Sequence, residues 1–306
     1  MTKPATSCIE VAGFLVLCYI TLCANWNIRS LEYQVTAGLG SVENLGKRRR
    51  MERVVRGMKS VVLLGILAAV LVGGYQNLEY NWQWYRLPPY FFSFKEGVFT
   101  RGLLLDGLFI TLKISSLGLV ISILLGFFSA FARLSVFPML RFSAWAYVET
   151  IRNTPLLIQI FLIYFVISPV LNISAFWSAV VALSLFEGAY ASEIIRSGII
   201  NIPVGQVEAA QSIGLSTFAT YIKVIIPQML RQTLPMLAGQ SVSLIKDSAL
   251  VSTISIYDLT MQGQKIVSET FLTFEIWFAV ALCYLSITAT LSFVIRRFEN
   301  RMKFIN

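Results

Sequence analysis

The sequence predicts an all-α polytopic membrane protein, and three observations support this fold class. The 306 residues are 56% hydrophobic and only 13% charged, whereas soluble domains carry about 25% charged residues. The mean hydropathy is +0.71. Six apolar segments approach the roughly 20 residues that a membrane-spanning helix needs. We predict these helices at 60–76, 108–132, 142–168, 176–198, 234–256 and 272–295.

Residues 1–59 are expected to form an N-terminal extension, basic near 47–59. The apolar run 9–24 within it is a marginal transmembrane helix, and it lacks the small-residue cleavage site of a signal peptide. Met51 and Met58 both precede the first strong helix. We therefore hypothesise that translation begins at one of them, so that residues 1–50 are not part of the mature protein.

The net charge of +9 could suggest a nucleic-acid partner, but the positions of the charges indicate membrane topology instead. Basic-rich connections at 47–59, at 196–231 and from Arg296 onward alternate with neutral or acidic ones. Because basic connections face the cytoplasm, we predict a cytoplasmic C-terminus. Seven basic residues beside a membrane helix also suit contact with anionic lipid. We expect the lipid bilayer as a partner and no nucleic acid.

The segment 77–100 is predicted to lie outside the membrane on the extracytoplasmic side. It includes YNWQWYRLPPYF at 80–91, which is dense in Trp and Tyr. Such residues are typical of the membrane–water interface. An interfacial anchor is therefore favoured over a platform for a ligand.

The stretch 201–228, which includes VEAAQSIGLSTFATYIKVIIP, predicts a pair of cytoplasmic helices. Pro203 suits the first position of a helix over 203–213, and Gly214 suits a left-handed helix end. Ser216 can cap a second helix, which Pro227 ends or kinks. The spacing also fits a DNA-reading helix-turn-helix, but the flanking membrane segments leave no room for its third helix. The pair is predicted to be a rigid knob that docks into a partner.

Glu208-Ala209-Ala210, followed by Gly214 and by Val224 to Pro227, resembles the EAA loop of ABC-importer permeases. Four further blocks are similar to the polar amino-acid uptake branch of that family, and the resemblance extends over 101–303. It implies a five-helix permease core preceded by one or two additional N-terminal transmembrane helices. The four blocks are TLKISSLGLVISILLG, ETIRNTPLLIQIFLIYF, EGAYASEIIRSGI and KDSALVSTISIYDLT.

The resemblance implies a permease subunit of an ATP-driven importer in the bacterial inner membrane, translocating polar amino acids delivered by an extracytoplasmic binding protein. The implied partners are two ATP-binding subunits and a second permease subunit, identical or paralogous. Glu208, Ala209, Ala210 and Gly214 are the implied ATPase-coupling residues. The sequence lacks a GxxxxGK[ST] motif, so the chain cannot hydrolyse ATP by itself. We expect no cofactor on this chain, with ATP and Mg used by the ATPase subunits.

Ionisable residues within predicted membrane helices are costly and mark candidate pathway positions. Glu187 falls near the middle of 176–198, and Lys246 and Asp247 fall near the middle of 234–256. A free amino acid is a zwitterion, so Glu187 could accept its ammonium and Lys246 could donate to its carboxylate. Alternatively, Glu187 and Lys246 neutralise each other across the two helices. The sequence leaves both possibilities open.

Two further polar positions, Thr154 and Gln159, are candidates of the same kind. Thr154-Pro155 falls within 142–168, where the proline either kinks the helix or frees a carbonyl that faces the pathway. Gln159 lies one turn beyond and could share that face. Glu193 and Arg196 are three residues apart on one helix, which predicts a local ion pair.

Two other classes of function are weaker. An autonomous secondary transporter or channel would account for the charged residues within the membrane but leaves the EAA loop without a role. A membrane enzyme has no convincing nucleophile–base pair, and the sequence contains no histidine. We expect no catalytic residue and no metal site.

Overall fold

The computed structural model describes residues 54–55, 57–69, 72–73, 80–95 and 98–303. The chain divides into two units, 1–82 and 83–306, and each is described by itself. The predictions for residues 1–53, including the marginal helix 9–24, lie outside the described residues. In the first unit, helix α1 spans Gly57–Ala69. It coincides with the first part of the helix predicted at 60–76.

The second unit is helical apart from one antiparallel hairpin, in which Phe92 pairs with Arg101. The predicted all-α fold class is confirmed, and this hairpin is a small addition to it. Helices α3, α6 and α11 are each long and apolar enough to cross a membrane. The elements are α2 (Pro88–Phe91), β1 (Phe92–Lys95), β2 (Val98–Arg101), α3 (Leu103–Arg133), α4 (Pro138–Arg152), α5 (Leu156–Leu171), α6 (Ala175–Ile200), α7 (Val204–Ser212), α8 (Thr217–Thr220), α9 (Ile226–Asp247), α10 (Leu259–Thr270) and α11 (Thr273–Lys303).

Helices α3 and α6 run in the same direction and form the centre of the unit. Gly118 of α3 faces Leu183 of α6, and Gly126 faces Ala191 further along both helices. A Cβ added to Gly126 would lie 2.6 Å from the Cβ of Ala191, so only glycine permits this separation. Close approach through small residues is the usual mode of packing between membrane helices. Gly188 of α6 is packed in the same way, since a Cβ added there would lie 3.0 Å from the Cβ of Leu125 on α3.

The prediction of a single helix at 142–168 was wrong. Helix α4 ends at Arg152, α5 begins at Leu156, and the two are bent by 111° at the break between them. Pro155 stands before the first residue of α5 with extended backbone angles, so it does not kink a continuous helix. The ring of a proline disfavours helical backbone angles at the preceding residue, here Thr154. The chain therefore leaves the helix at this point.

The prediction of a membrane helix at 234–256 was also wrong in its limits. Helix α9 begins at Ile226 and ends at Asp247, and a 3-10 segment, Ser248–Ile254, follows it. Among the described helices, α9 does not qualify as an apolar span by length and composition. Lys246 and Asp247 therefore lie at the end of a helix and not at its middle.

Two apolar clusters mark the opposite ends of the second unit. Residues Leu104, Leu259 and Ile276 belong to the cluster at the start of α3. Ala130 and Ile195 belong to the cluster at the ends of α3 and α6. Because the pair α3 and α6 runs between them, the clusters define two distinct ends of the fold.

Asp258 fixes the first of these ends by capping helix α10. Its carboxylate accepts a hydrogen bond from the Met261 amide at 2.9 Å and from the Tyr284 hydroxyl at 3.4 Å. The neighbouring Leu259 amide donates to the Thr111 hydroxyl of α3 at 3.1 Å. Burial raises the pKa of Asp258 to about 6. The capped start of α10 is thereby tied to both α3 and α11.

Candidate functional site

The helix pair between α6 and α9 forms the predicted knob, which we define as residues 201–226. Helix α7 begins at Val204, one residue after the predicted start at Pro203. Gly214 has a φ of +83°, and its amide donates to the Gln211 carbonyl at 2.9 Å. A left-handed residue at the end of a helix is most easily glycine. The predicted glycine corner is confirmed.

The second part of the knob continues directly into helix α9. The Ser216 hydroxyl accepts a hydrogen bond from the Ala219 amide at 3.3 Å, which confirms the predicted cap. The predicted end of this helix at Pro227 is not present, because a π turn over Tyr221–Ile225 joins α8 to α9. Pro227 is the second residue of α9 and lies within a continuous helical run, where a proline removes one backbone hydrogen bond. The alternative expectation, a kink at Pro227, stays a prediction. The knob is joined to α9 without an intervening loop.

The base of the knob is packed against the ends of the two central helices. Ile202, Ile225 and Met229 are buried in one cluster with Ala130 of α3 and Ile195 of α6. In addition, a Cβ on Gly198 would collide with the Thr233 side chain of α9. The knob is therefore a rigid part of the helical fold.

The outer surface of the knob carries both polar and apolar side chains. Glu208 and Ala209 are exposed, but Ala210 is only 4% exposed and faces the interior. Of the two alanines implied as ATPase-coupling residues, only Ala209 is therefore accessible to a partner. Large apolar side chains surround them and remain accessible, which is typical of protein-interaction surfaces. We call this surface the knob patch: Val204, Glu208, Ala209, Ile213 and Phe218.

Beside the knob, Glu193 of α6 forms ion pairs with three arginines. Arg196 donates to it at 2.5 Å, which confirms the predicted local pair. Arg133 from the end of α3 also donates to its carboxylate, and Arg152 from the end of α4 lies 3.6 Å away. The Arg152 guanidinium stacks over the Tyr190 ring at 5.4 Å as well. The cluster joins three helices, and its net charge is positive.

The sequence reasoning missed Arg133 and Arg152. They stand 60 and 41 positions before Glu193 in the chain, so helical spacing gives no sign of the contact. Their only local signal is their position at the ends of apolar segments. Such arginines could equally have served topology alone.

Glu187 of α6 is buried within the protein, at 1% exposure. Neither carboxylate oxygen has a hydrogen-bond partner among the described residues, although the side chains of Gln240 and Asp247 lie near enough to influence its ionisation. A buried carboxylate without a partner is unfavourable, and an unpaired acid at this depth in a membrane protein points to function.

The predicted neutralisation of Glu187 by Lys246 is not present. In the described part of the chain, no ion pair joins the two residues, and Lys246 is exposed. Asp247, in contrast, is half-buried and acts electrostatically on Glu187. The structure therefore brings Glu187 together with Asp247 and not with Lys246.

Thr154 and Gln159 both lie at the break between α4 and α5. The Gln159 amide nitrogen donates to the Ile151 carbonyl at 2.8 Å and to the Thr154 hydroxyl at 2.7 Å. The Thr154 hydroxyl in turn donates to the Thr150 carbonyl at 2.9 Å. These bonds satisfy carbonyls that the break leaves without helical partners. A further role of either residue in a pathway stays a prediction.

Comparison with known proteins identifies the fold. Residues 122–304 match the family model of the binding-protein-dependent transport system inner membrane component. This match covers more than half of the chain and includes the knob, the Glu193 cluster and Glu187. The chain belongs to this family. Membership agrees with the resemblance found in the sequence, and it favours a transport-system permease over an autonomous secondary transporter.

The alignments with two relatives of this inner membrane component cover most of the length of each relative. The glutamine transport system permease protein GlnP of Escherichia coli (strain K12) is 41% identical over 206 residues, which are 66% of this chain and 94% of that protein. The L-cystine transport system permease protein TcyB of Bacillus subtilis (strain 168) is 40% identical over 166 residues, 54% of this chain and 70% of that protein.

Solved structures agree with this assignment of the inner membrane component. A crystal structure of an amino acid ABC transporter with histidines has a TM-score of 0.62 and 39% sequence identity, covering 65% of this chain and 94% of that chain. An inward-facing structure of the MetNI methionine ABC transporter has a TM-score of 0.58 at 18% identity, covering 65% of this chain and 96% of that chain. The second likeness concerns the fold alone.

Proposed function

We propose that this inner membrane component is the permease subunit of an ATP-driven importer of polar amino acids, and that the knob couples it to the ATPase subunits. The observation that carries the proposal is the knob patch. It presents Val204, Ile213 and Phe218 to solvent around the exposed Glu208. An apolar surface with a charged centre, held on rigid helices, fits a groove in a partner protein.

The remaining partners follow from the same proposal. Two ATP-binding subunits supply the energy with ATP and Mg, and a second permease subunit completes the membrane part. An extracytoplasmic binding protein delivers the substrate. The knob and the C-terminus face the cytoplasm of the bacterial cell. Glutamine is the first substrate to test, because the GlnP relative is named as a glutamine permease.

Coupling is tested by charge reversal on the knob patch. We expect Glu208→Lys to reduce co-purification of the ATP-binding subunit of the same transport system strongly, because the docked carboxylate would be replaced by a cation. Glu269→Lys on α10 is the matched control, since Glu269 is also exposed but belongs to the opposite end of the fold. The measurement is the ratio of the two subunits after affinity purification from detergent. A normal ratio for Glu208→Lys would contradict the proposal.

The translocation path is proposed to pass Glu187, with Asp247 beside it. A carboxylate that is buried and lacks a partner can accept the ammonium of an amino acid. The energy of this contact offsets the cost of holding the charge away from water. Lys246, Thr154 and Gln159 remain candidates further along the path. Thr154 and Gln159 already have structural hydrogen bonds at the helix break.

The proposed path predicts that Glu187→Gln lowers the rate of glutamine uptake at least tenfold while the protein is inserted at normal levels. Gln has nearly the shape of Glu, so the helix packing is retained, but a neutral amide binds an ammonium less well than a carboxylate. Uptake is measured in vesicles containing the complete transport system. Glu269→Gln serves as the control and should transport normally. Unchanged uptake by Glu187→Gln would remove Glu187 from the path.

A further inference from the structure

Residues 83–101 form a small structure at the end of the fold that lies opposite the knob. We call it the cap: the 3-10 turn Trp84–Arg86, helix α2 and the hairpin of β1 and β2. It precedes the part of the chain that matches the family model, which begins at residue 122. The function proposed above does not account for the cap.

Buried contacts hold the cap on the starts of α3 and α11. The Gln83 amide donates to the carboxylate of Glu275 at 2.6 Å, and Glu275 is fully buried in the first turn of α11. The Gly102 amide donates to the Phe91 carbonyl at 2.8 Å. Leu87, Tyr90 and Phe91 pack against the apolar cluster at that end. The cap is thus fixed relative to the membrane helices.

The outward side of the cap is aromatic and basic. Tyr85 is 78% exposed and Trp84 is 45% exposed, and both Arg86 and Arg101 are exposed. The Arg101 guanidinium lies 5.6 Å from the ring centre of Phe109 on α3. Aromatic rings with guanidinium groups between them suit lipid headgroups, where the ring enters the apolar boundary and the cation meets phosphate.

The cap is continuous with the apolar surface of α11. The Trp84 ring lies 6.3 Å from that of Phe278, and Phe278 begins an exposed apolar face that continues through Leu282 and Leu285. This face belongs to a helix that is long and apolar enough to span the membrane. A surface that continues a lipid-facing helix beyond its first turn meets the headgroup layer.

Tryptophans at the starts of two spanning helices lie at the same end of the fold. Trp177 is the third residue of α6 and Trp277 is the fifth residue of α11, and both are exposed. Since α3 and α6 run in the same direction and α11 starts beside α3, these two residues and Trp84 belong to the same end of the fold. Exposed tryptophans near the starts of spanning helices are typical of a membrane–water interface.

We infer that the cap binds the lipid headgroup layer and so anchors the starts of α3 and α11 at the membrane surface. The recognised partner is the phospholipid surface itself, with Trp84 and Tyr85 in its apolar boundary and Arg86 and Arg101 at its phosphates. A water-soluble partner, such as the proposed binding protein, would require the same side chains to face water.

Spin labels at three exposed positions separate these possibilities. Tyr85→Cys reports on the cap, Val120→Cys on the middle of α3, and Phe218→Cys on the knob patch. The three residues are 78%, 60% and 76% exposed. The four native cysteines are first replaced, and the full chain is placed in nanodiscs of phosphatidylethanolamine and phosphatidylglycerol. Accessibility to oxygen and to an aqueous nickel chelate is then measured for each label.

We expect the ratio of oxygen to nickel accessibility at position 85 to fall between the ratios at 120 and 218. A ratio equal to that at 218 would place the cap in water, and a ratio equal to that at 120 would place it in hydrocarbon. Either result overturns the inference.

A milder variant tests the same point if labelling at position 85 disturbs the fold. The chain has six tryptophans, and lipids brominated just below the headgroup quench those at the interface. Trp84→Phe should reduce the part of the tryptophan fluorescence that these brominated lipids quench. A reduction confined to the part quenched by aqueous iodide would contradict the inference.

Discussion

Replacing Gly214 by valine is expected to uncouple the permease from its ATPase partner, whereas asparagine at the same position should retain most of the coupling. The φ of +83° places residue 214 in the left-handed region, which costs L-residues about 1–2 kcal/mol. Asparagine tolerates this region several-fold better than other residues, and a β-branched residue is a genuine outlier there. A cost of that size changes the population of the formed corner by a factor of about 5–30.

The substitutions at Gly214 isolate backbone strain from steric conflict. A Cβ at this position would find no atom within 4 Å, so the size of the new side chain does not itself cause a collision within the chain. The expected order of ATPase co-purification is glycine, asparagine, alanine and valine, measured as the subunit ratio at equal permease levels. Valine at the wild-type ratio would show that the corner is not needed for docking. Equal losses for asparagine and valine would point to a contact with the partner instead of strain.

The knob could be predicted from sequence because its signals are local. Proline before the helix, glycine at its end and serine at the next cap each act within a few residues, and the structure confirms Gly214 and Ser216 in these roles. The inward direction of Ala210 was not predictable from its motif. It depends on how α7 packs against α8 and the π turn Tyr221–Ile225, which is a property of the tertiary fold.

The breaks in the membrane helices were not predictable from hydropathy. Hydropathy predicts how many consecutive residues are apolar, but it does not predict whether the chain changes direction within them. The hydropathy is therefore continuous across the 111° bend before Leu156, and only Pro155 marks the place of the bend in the sequence. Likewise, the apolar residues after Asp247 belong to a 3-10 segment, which places Lys246 at a helix end. The unpaired state of Glu187 depends on that placement and needed the structure.

The Glu193 cluster predicts the second large effect, a loss of thermal stability in Glu193→Gln. The substitution removes the one carboxylate shared by Arg133, Arg152 and Arg196 and leaves three cations close together. Breaking a fully buried pair costs about 3–5 kcal/mol. Because the four side chains keep between 10% and 36% exposure, water offsets part of this cost, and we expect about 2 kcal/mol. That value corresponds to a decrease in Tm of about 4–8 °C.

Two companion variants decide whether the loss comes from charge. Glu149→Gln on α4 is the matched control. Glu149 accepts a hydrogen bond from Asn153 at 3.2 Å, and the amide oxygen of a glutamine can still accept this bond. The Tm of Glu149→Gln should therefore remain near that of the wild type. The double variant Glu193→Gln/Arg196→Gln removes one of the three uncompensated cations, so its Tm should recover part of the loss. The measurement is thermal unfolding of the purified chain in detergent. When repulsion between the arginines dominates, removing one of them must raise the Tm. A double variant less stable than Glu193→Gln alone would contradict this explanation and show that the hydrogen bonds of Arg196 outweigh the repulsion.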